Sequence, residues 1–180
     1  MTASFGQDTS LSETLSWIKG KVESQPTTWV DGKENSVVRD FSFTYKGCDI
    51  EYSYQMHLFV FDKQVMMSDK YYEVHQKANL KNIEKVEFQL SNAQILDKIN
   101  NKDVELKYNG DYPSVVLNTL WGQKLITNWE PINTAYSSAR QNESSMTSTL
   151  TIIHKEAERL AKALEQAMKL CDGGQKKEKY

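Results

Sequence analysis

The sequence predicts an α+β fold that is mostly antiparallel β, with one helix before the strands and an amphipathic helix after them. Three observations predict it. Apolar residues recur at helical spacing near the start of the chain, alternate with polar residues from about residue 37, and return to helical spacing from about residue 155. A chain of 180 residues has the length of one domain with its own core, and we expect that domain to span residues 11–172.

The composition excludes several classes of protein. Hydrophobic residues make up 39% of the chain and charged residues 26%, which is typical of a folded domain and not of a disordered one. The 22 Lys and Arg residues against 24 Asp and Glu residues leave a net charge of −2, which argues against a nucleic-acid partner. No apolar run approaches the ~20 residues of a membrane helix, so we expect no transmembrane segment.

The first predicted element is a helix that begins after Ser10. Ser10 and Glu13 have the spacing of a capping box, in which each residue satisfies a backbone N–H of the other. Pro26 ends the helix, because the residue before a proline is pushed out of the helical region. Residues 27–36 are rich in turn formers and are predicted to be a loop. The apolar stripe of the helix is Leu11, Leu15, Ile18 and Val22.

A meander of about seven strands follows. Residues 41–45 and 50–60 alternate on either side of Lys46-Gly47 and predict a hairpin. The turn signal Asn109-Gly110-Asp111 is expected to separate the fifth strand from the sixth. The later predicted strands are 71–78, 83–90, 104–108, 115–120 and 125–129, the last of which could instead continue the sixth. Residues 130–146 are predicted to be a long loop, and 147–153 to be the last strand or the start of the last helix.

The last predicted element is a helix with one apolar face. Its stripe is Ala157, Leu160, Ala161, Leu164, Ala167, Met168 and Cys171. Residues 1–10 and 173–180 are expected to be disordered. Residues 3–8 are similar to the polar run that often follows a cleaved signal peptide, and an ordinary flexible terminus is the alternative. We therefore expect an exported or periplasmic location, with the cytoplasm as the alternative.

The order of elements from Val37 to Cys171 resembles a pleckstrin-homology-like barrel. The resemblance implies a bent seven-stranded barrel or sheet, with the last helix over one open end. The runner-up is an open sheet with both helices on one face. Residues 14–18, Thr-Leu-Ser-Trp-Ile, are similar to the opening helix of uncharacterised exported bacterial proteins. The basic cluster that binds phosphoinositides in some pleckstrin-homology domains has no counterpart at residues 45–49, so that function is not carried over.

Cys48 and Cys171 are candidates for a disulfide. Cys48 opens the second predicted strand and Cys171 lies on the apolar stripe, and a strand end and the helix end can meet in a barrel capped by its last helix. The bond would need an oxidising compartment. Two buried free cysteines are the alternative. A Cys–His nucleophile is a third interpretation, which the core-facing position of Cys171 disfavours.

Motifs for catalysis, phosphate binding and metal binding are missing from the sequence, so we predict no catalytic residue, no metal site and no cofactor. His57, His75 and His154 lack metal-ligand spacing. Trp121 and Trp129 bracket a predicted turn, where they could stack on a ligand or plug the barrel. Tyr52 and Tyr54 have the inward phase of their strand.

Three functions are compatible with this pattern. The first is a non-enzymatic binding or scaffold module, which contacts a protein partner through a strand edge or the 130–146 loop. The second is a carrier of a small apolar ligand, a lipid or a sugar, inside the barrel. The third is an unrecognised enzyme whose acids or histidines converge only in the fold.

Overall fold

A computed structural model describes residues 10–30, 35–62, 65–99, 104–120, 126–131 and 142–171. These residues form an antiparallel sheet with one helix before it in the chain and one after it, and this confirms the predicted fold class. The predicted disordered ends, residues 1–10 and 173–180, lie outside the described residues except for Ser10, which is ordered as the N-cap of the first helix.

The described chain contains two helices, nine strands and one 3₁₀ turn. The turn, Leu80–Asn82, connects the fourth strand to the fifth. The elements are α1 (Leu11–Val22), β1 (Thr28–Val30), β2 (Asn35–Lys46), β3 (Asp49–Asp62), β4 (Val65–Asn79), β5 (Ile83–Ile99), β6 (Val104–Thr119), β7 (Ile126–Pro131), β8 (Asn142–Thr147), β9 (Thr149–Ile153) and α2 (Ala157–Cys171).

All nine strands belong to one sheet, in the order β8-β7-β4-β3-β2-β1-β5-β6-β9, and every neighbouring pair is antiparallel. The two edge strands, β8 and β9, follow each other in the chain with only Ser148 between them. The sheet therefore bends until its two edges meet at this residue. It is not closed into a barrel, because β8 and β9 are not paired with each other in the described part of the chain.

The described residues form nine strands where the sequence predicts about seven, and three of the predicted loops and turns are wrong. The predicted loop at 27–36 contains β1, a strand too short to show an alternating pattern. The predicted loop at 130–146 contains β8, whose polar sequence Asn-Glu-Ser-Ser-Met-Thr is typical of a loop and pairs with β7. The predicted fifth and sixth strands are a single strand, β6, because the chain does not turn at Gly110. Gly110 has a φ of 142°, a backbone conformation that glycine adopts more easily than other residues.

Both helices pack on the sheet through the stripes that the sequence predicts. Ile18, Leu160 and Leu164 are fully buried, and Met168 packs against the same core. Burial of each large aliphatic side chain contributes roughly 1.5–3 kcal/mol. The sheet residues of this core include Phe43, Ile50, Val86, Leu117, Leu150 and Ile152. This helix-packed region holds most of the buried apolar residues of the described chain.

Polar contacts cap the start of α1 and fix its other end against the start of α2. Ser10 and Glu13 form the predicted capping box, with the Glu13 N–H donating to Ser10 Oγ at 3.2 Å. Lys21 Nζ donates to Glu156 Oε1 at 2.6 Å, between α1 and the turn before α2. Lys21 and Arg159 both lie over the Trp17 ring, 5.3 and 5.6 Å from its centroid.

Candidate functional site

Cys48 and Cys171 are joined in a disulfide, with their Cα atoms 5.7 Å apart. The Cys48 carbonyl also accepts from the Leu80 N–H at 2.9 Å. The bond therefore ties the β2–β3 turn and the turn after β4 to the end of α2. Because the sulfur of a disulfide is not a thiolate, this pair does not supply a nucleophile in the oxidised protein.

The histidines do not come together. His57 of β3 is opposite Tyr71 of β4, and His75 of β4 is opposite Ser53 of β3. The two histidines are therefore separated by four residue positions along the paired strands. His75 Nδ1 lies 3.0 Å from Glu51 Oε1 on the same sheet face. Within the described residues, no group of three or more His, Cys, Asp or Glu side chains could hold a metal ion.

The predicted aromatic contact is not tested by the structure. Trp121 lies outside the described residues. The backbone of Trp129 lies in β7, where it pairs with His75 of β4, and its side chain is not described. A ligand contact at these two residues stays a prediction.

A cleft of about 380 Å³, here called the aromatic cleft, lies between the β2–β3 part of the sheet and β9. One wall carries Phe41, Tyr52 and Tyr54, and threonines from the end of β8 and from β9 stand among the other lining residues. The complete lining is Gln25, Thr28, Val38, Phe41, Tyr52, Tyr54, Gln76, Thr147, Thr149, Thr151 and Ile153.

A bulge in β2 builds the aromatic wall. The register of β2 on β3 slips between Arg39 and Ser42, where Asp40 has a positive φ of 54°. Regular alternation from Val38 would put Asp40 on the cleft face, and the extra residue puts Phe41 there instead. The Phe41 ring then lies 6.1 Å from the Tyr52 ring and 6.0 Å from the Tyr54 ring, centroid to centroid. The sequence predicted the inward phase of Tyr52 and Tyr54 but gave no sign of the bulge.

The aromatic cleft contains no ionised side chain among its described lining residues. Tyr52 is 3% exposed, and its hydroxyl donates to Gln25 Oε1 at 3.3 Å. Burial raises the pKa of Tyr52, so its phenol stays neutral. The cleft therefore offers aromatic surface, hydroxyl groups and amide groups without a fixed charge.

Three of the four threonines that line this cleft lie where the chain passes from one edge strand of the sheet to the other. Thr147 ends β8, and Thr149 and Thr151 alternate with buried residues in β9. Thr147 Oγ1 accepts from the Thr149 N–H at 3.3 Å, across the single residue between the two strands. The sequence shows this Thr alternation, but nothing in it indicates that the threonines line a cleft with aromatic residues from β2 and β3.

A second cleft of about 450 Å³, here called the cationic cleft, lies beside the turn before α2. Apolar side chains form part of its lining, and Lys107 and Lys155 bring two positive charges. The lining is Ser24, Pro26, Ile95, Leu96, Lys107, Tyr108, Tyr112, His154 and Lys155.

Ser24 and His154 in this second cleft have the composition of a catalytic pair but not its hydrogen bonding. His154 Nδ1 accepts from the Glu156 N–H at 3.0 Å, so the neutral ring carries its proton on Nε2. Nε2, 3.3 Å from Ser24 Oγ, is then a donor and cannot take the serine proton. The Ser24 hydroxyl itself donates to the Lys21 carbonyl at 2.9 Å.

The environment of His154 favours the neutral form of its ring. Burial is the largest cause that lowers the pKa of His154 below its ordinary 6.5, and the charges of Lys21 and Lys155 act in the same direction. The Glu156 carboxylate opposes them. His154 therefore acts as a structural link between the end of α1 and the start of α2.

No helix in the described part of the chain is long and apolar enough to cross a membrane. Comparison of the sequence with protein-family models gives no match. Comparisons with curated proteins and with solved structures give no match either.

Proposed function

We propose that this protein is a non-enzymatic binding protein that takes a small uncharged ligand in the aromatic cleft. The observation that carries the proposal is the lining of this cleft: it contains three aromatic rings, four threonines and two glutamines, and no side chain with a fixed charge. Ligand sites commonly combine an apolar wall with a few polar groups that orient the ligand. The ligand should therefore have an apolar or ring-shaped face and hydroxyl or carbonyl groups at its edge.

The hydrogen bonding of His154 supports a binding role over an enzymatic one. A nucleophilic serine needs a base that can accept its proton. His154 already uses Nδ1 as an acceptor and presents a proton to Ser24. This Ser–His pair, the closest approach to a catalytic dyad among the described residues, is thus used to hold the fold.

An oxidising location, exported or periplasmic, is part of the proposal. The Cys48–Cys171 disulfide supports it, because such bonds persist in oxidising compartments and are rare in the cytosol. Alkylation of free thiols in freshly lysed native cells, followed by mass spectrometry, tests this point. An unmodified, bridged pair supports the location, and two alkylated thiols would contradict it.

The cleft can be tested with N-phenyl-1-naphthylamine, a neutral aromatic probe whose fluorescence rises in an apolar site. We expect saturable binding to the wild-type protein. Thr149→Trp and Thr151→Trp should each weaken it at least about tenfold, because an indole at either exposed position would fill the cleft.

Thr44→Trp is the matched control, since Thr44 is also an exposed strand threonine and lies outside the aromatic cleft. This variant should bind the probe like the wild type. Absence of saturable binding, or equal binding by all three tryptophan variants, would contradict the proposal.

A scaffold role is the second candidate function. Four large apolar side chains on the paired strands β5 and β6 are 41–59% exposed, and a partner that covers these strands would bury them. They are Phe88, Leu90, Leu106 and Tyr108. A photo-crosslinking residue at position 90 should give a defined adduct in native cells, and the same residue at exposed position 44 should not. Equal labelling at both positions would count against a scaffold role.

A further inference from the structure

Adjacent residues of the same two chain segments line the two clefts. Along the segment after α1, Ser24 and Pro26 line the cationic cleft, and Gln25 and Thr28 line the aromatic cleft. At the end of β9, Ile153 lines the aromatic cleft, and the next residue, His154, lines the cationic cleft. The clefts are therefore neighbours with separate linings, and each can have its own ligand.

The two lysines of the cationic cleft are weakly paired within the described part of the chain. Lys155 is exposed and has no ion pair among the described residues. Lys107 Nζ lies 4.0 Å from Asp97 Oδ1, at the outer limit of an ion pair, and both side chains are more than half exposed. Glu156, which follows Lys155 in the chain, is already bound by Lys21 and Arg159, each at 2.6 Å. Among the described residues, Lys107 thus has one ion pair at the limit of its distance range and Lys155 has none.

The remaining lining of the cationic cleft is suited to an apolar body. Ile95 and Leu96 are 3% and 5% exposed, and Pro26 adds a third apolar side chain. The Tyr108 and Tyr112 rings lie edge to face, with their centroids 5.4 Å apart. The Tyr108 hydroxyl donates a hydrogen bond to the Asp111 carbonyl at 2.7 Å. Tyr108 therefore contributes ring surface rather than a free hydroxyl.

We infer that the cationic cleft is a second binding site, which takes a small organic anion. The acidic group of the ligand lies near Lys107 and Lys155, and its apolar body lies on the buried floor of the cleft. This inference goes beyond the proposed function and does not depend on it, because the two lysines line the cationic cleft and not the aromatic cleft.

The test uses 8-anilinonaphthalene-1-sulfonate, which is the neutral probe N-phenyl-1-naphthylamine with a sulfonate added. The folded protein is titrated with each dye at low salt and at about 0.5 M NaCl, where exposed charge interactions are screened. We expect saturable sulfonate binding that weakens with salt. Lys107→Gln/Lys155→Gln should weaken it about tenfold, as the loss of two charge contacts predicts, and should leave the neutral dye unaffected.

Lys81→Gln/Lys169→Gln is the matched control, since it removes two exposed lysines that do not line the cleft. It should bind the sulfonate like the wild type. Sulfonate binding that survives in the Lys107→Gln/Lys155→Gln variant, or falls equally in both double variants, would overturn the second site. Displacement of the neutral dye by the sulfonate would also overturn it, because the two probes would then share one site.

Discussion

The helix-packed region and the two clefts use apolar side chains in different ways. In the helix-packed region, Ile18, Leu160 and Leu164 are completely buried, and a disulfide and an ion pair add to their packing. In the aromatic cleft, Phe41 and Tyr54 are half-buried and the threonines of β9 are exposed. Tyr52 belongs to the same core, and Phe41 and Tyr54 pack against it, so the aromatic wall is a partly exposed edge of that core that can present surface to ligands.

The largest expected effect concerns the disulfide. It closes a loop with a sequence separation of 123, for which the chain-entropy model predicts about 4–5 kcal/mol of stabilisation. Cys48→Ser/Cys171→Ser should lose about that much free energy of unfolding in urea titrations. A reducing agent should destabilise the wild type similarly and leave the double variant unchanged. A loss under about 1 kcal/mol would show that the helix-packed region does not need this bond.

The next prediction compares one substitution in two places. Leu164→Ala removes a fully buried side chain from α2 and should cost about 3 kcal/mol. Leu90→Ala makes the same chemical change at a side chain that is 59% exposed, and should stay within about 0.5 kcal/mol of the wild type. Urea unfolding of both variants measures the contrast. Equal losses of unfolding free energy in the two variants would contradict the distinction between packed and exposed apolar residues.

The capping box of α1 should contribute less. Ser10→Ala removes the acceptor of the Glu13 N–H and should cost about 1 kcal/mol. Ser12→Ala, two residues later in the same helix, is the control and should be neutral or slightly stabilising, because alanine is the better helix former. If both variants have the same free energy of unfolding, the cap does not stabilise the helix-packed region.

The smallest effect is the pH dependence that His154 adds. Its pKa is lowered in the folded protein, so between this lowered pKa and about pH 6.5 the unfolded chain binds a proton that the folded protein does not. Stability from this group is therefore complete above pH 6.5 and declines as the pH falls toward the lowered pKa. His154→Gln, which cannot titrate, should lack this decline. Parallel stability profiles for the two proteins between about pH 5 and pH 7 would contradict the role given to His154.

How well the sequence predicts each region depends on whether local patterns or pairing between distant strands form it. The stripe Leu160, Leu164 and Met168 and the capping box at Ser10 are local patterns, and both were predicted correctly. The aromatic cleft depends on a bulge at Asp40 and on the edge change at Ser148, which arise from pairing between distant strands. No local pattern encodes such pairing, so Tyr52 and Tyr54 were placed on the correct face without the threonines opposite them.

The most direct test of the division between the two regions is amide hydrogen exchange with and without saturating N-phenyl-1-naphthylamine. Without the dye, amides of α1 and α2 should exchange most slowly, because they open only on global unfolding. With the dye, exchange should slow in β9 and around Tyr52–Tyr54, and α2 should change no more than the global stabilisation requires. Slowing confined to α2, or no slowing in β9, would contradict the account.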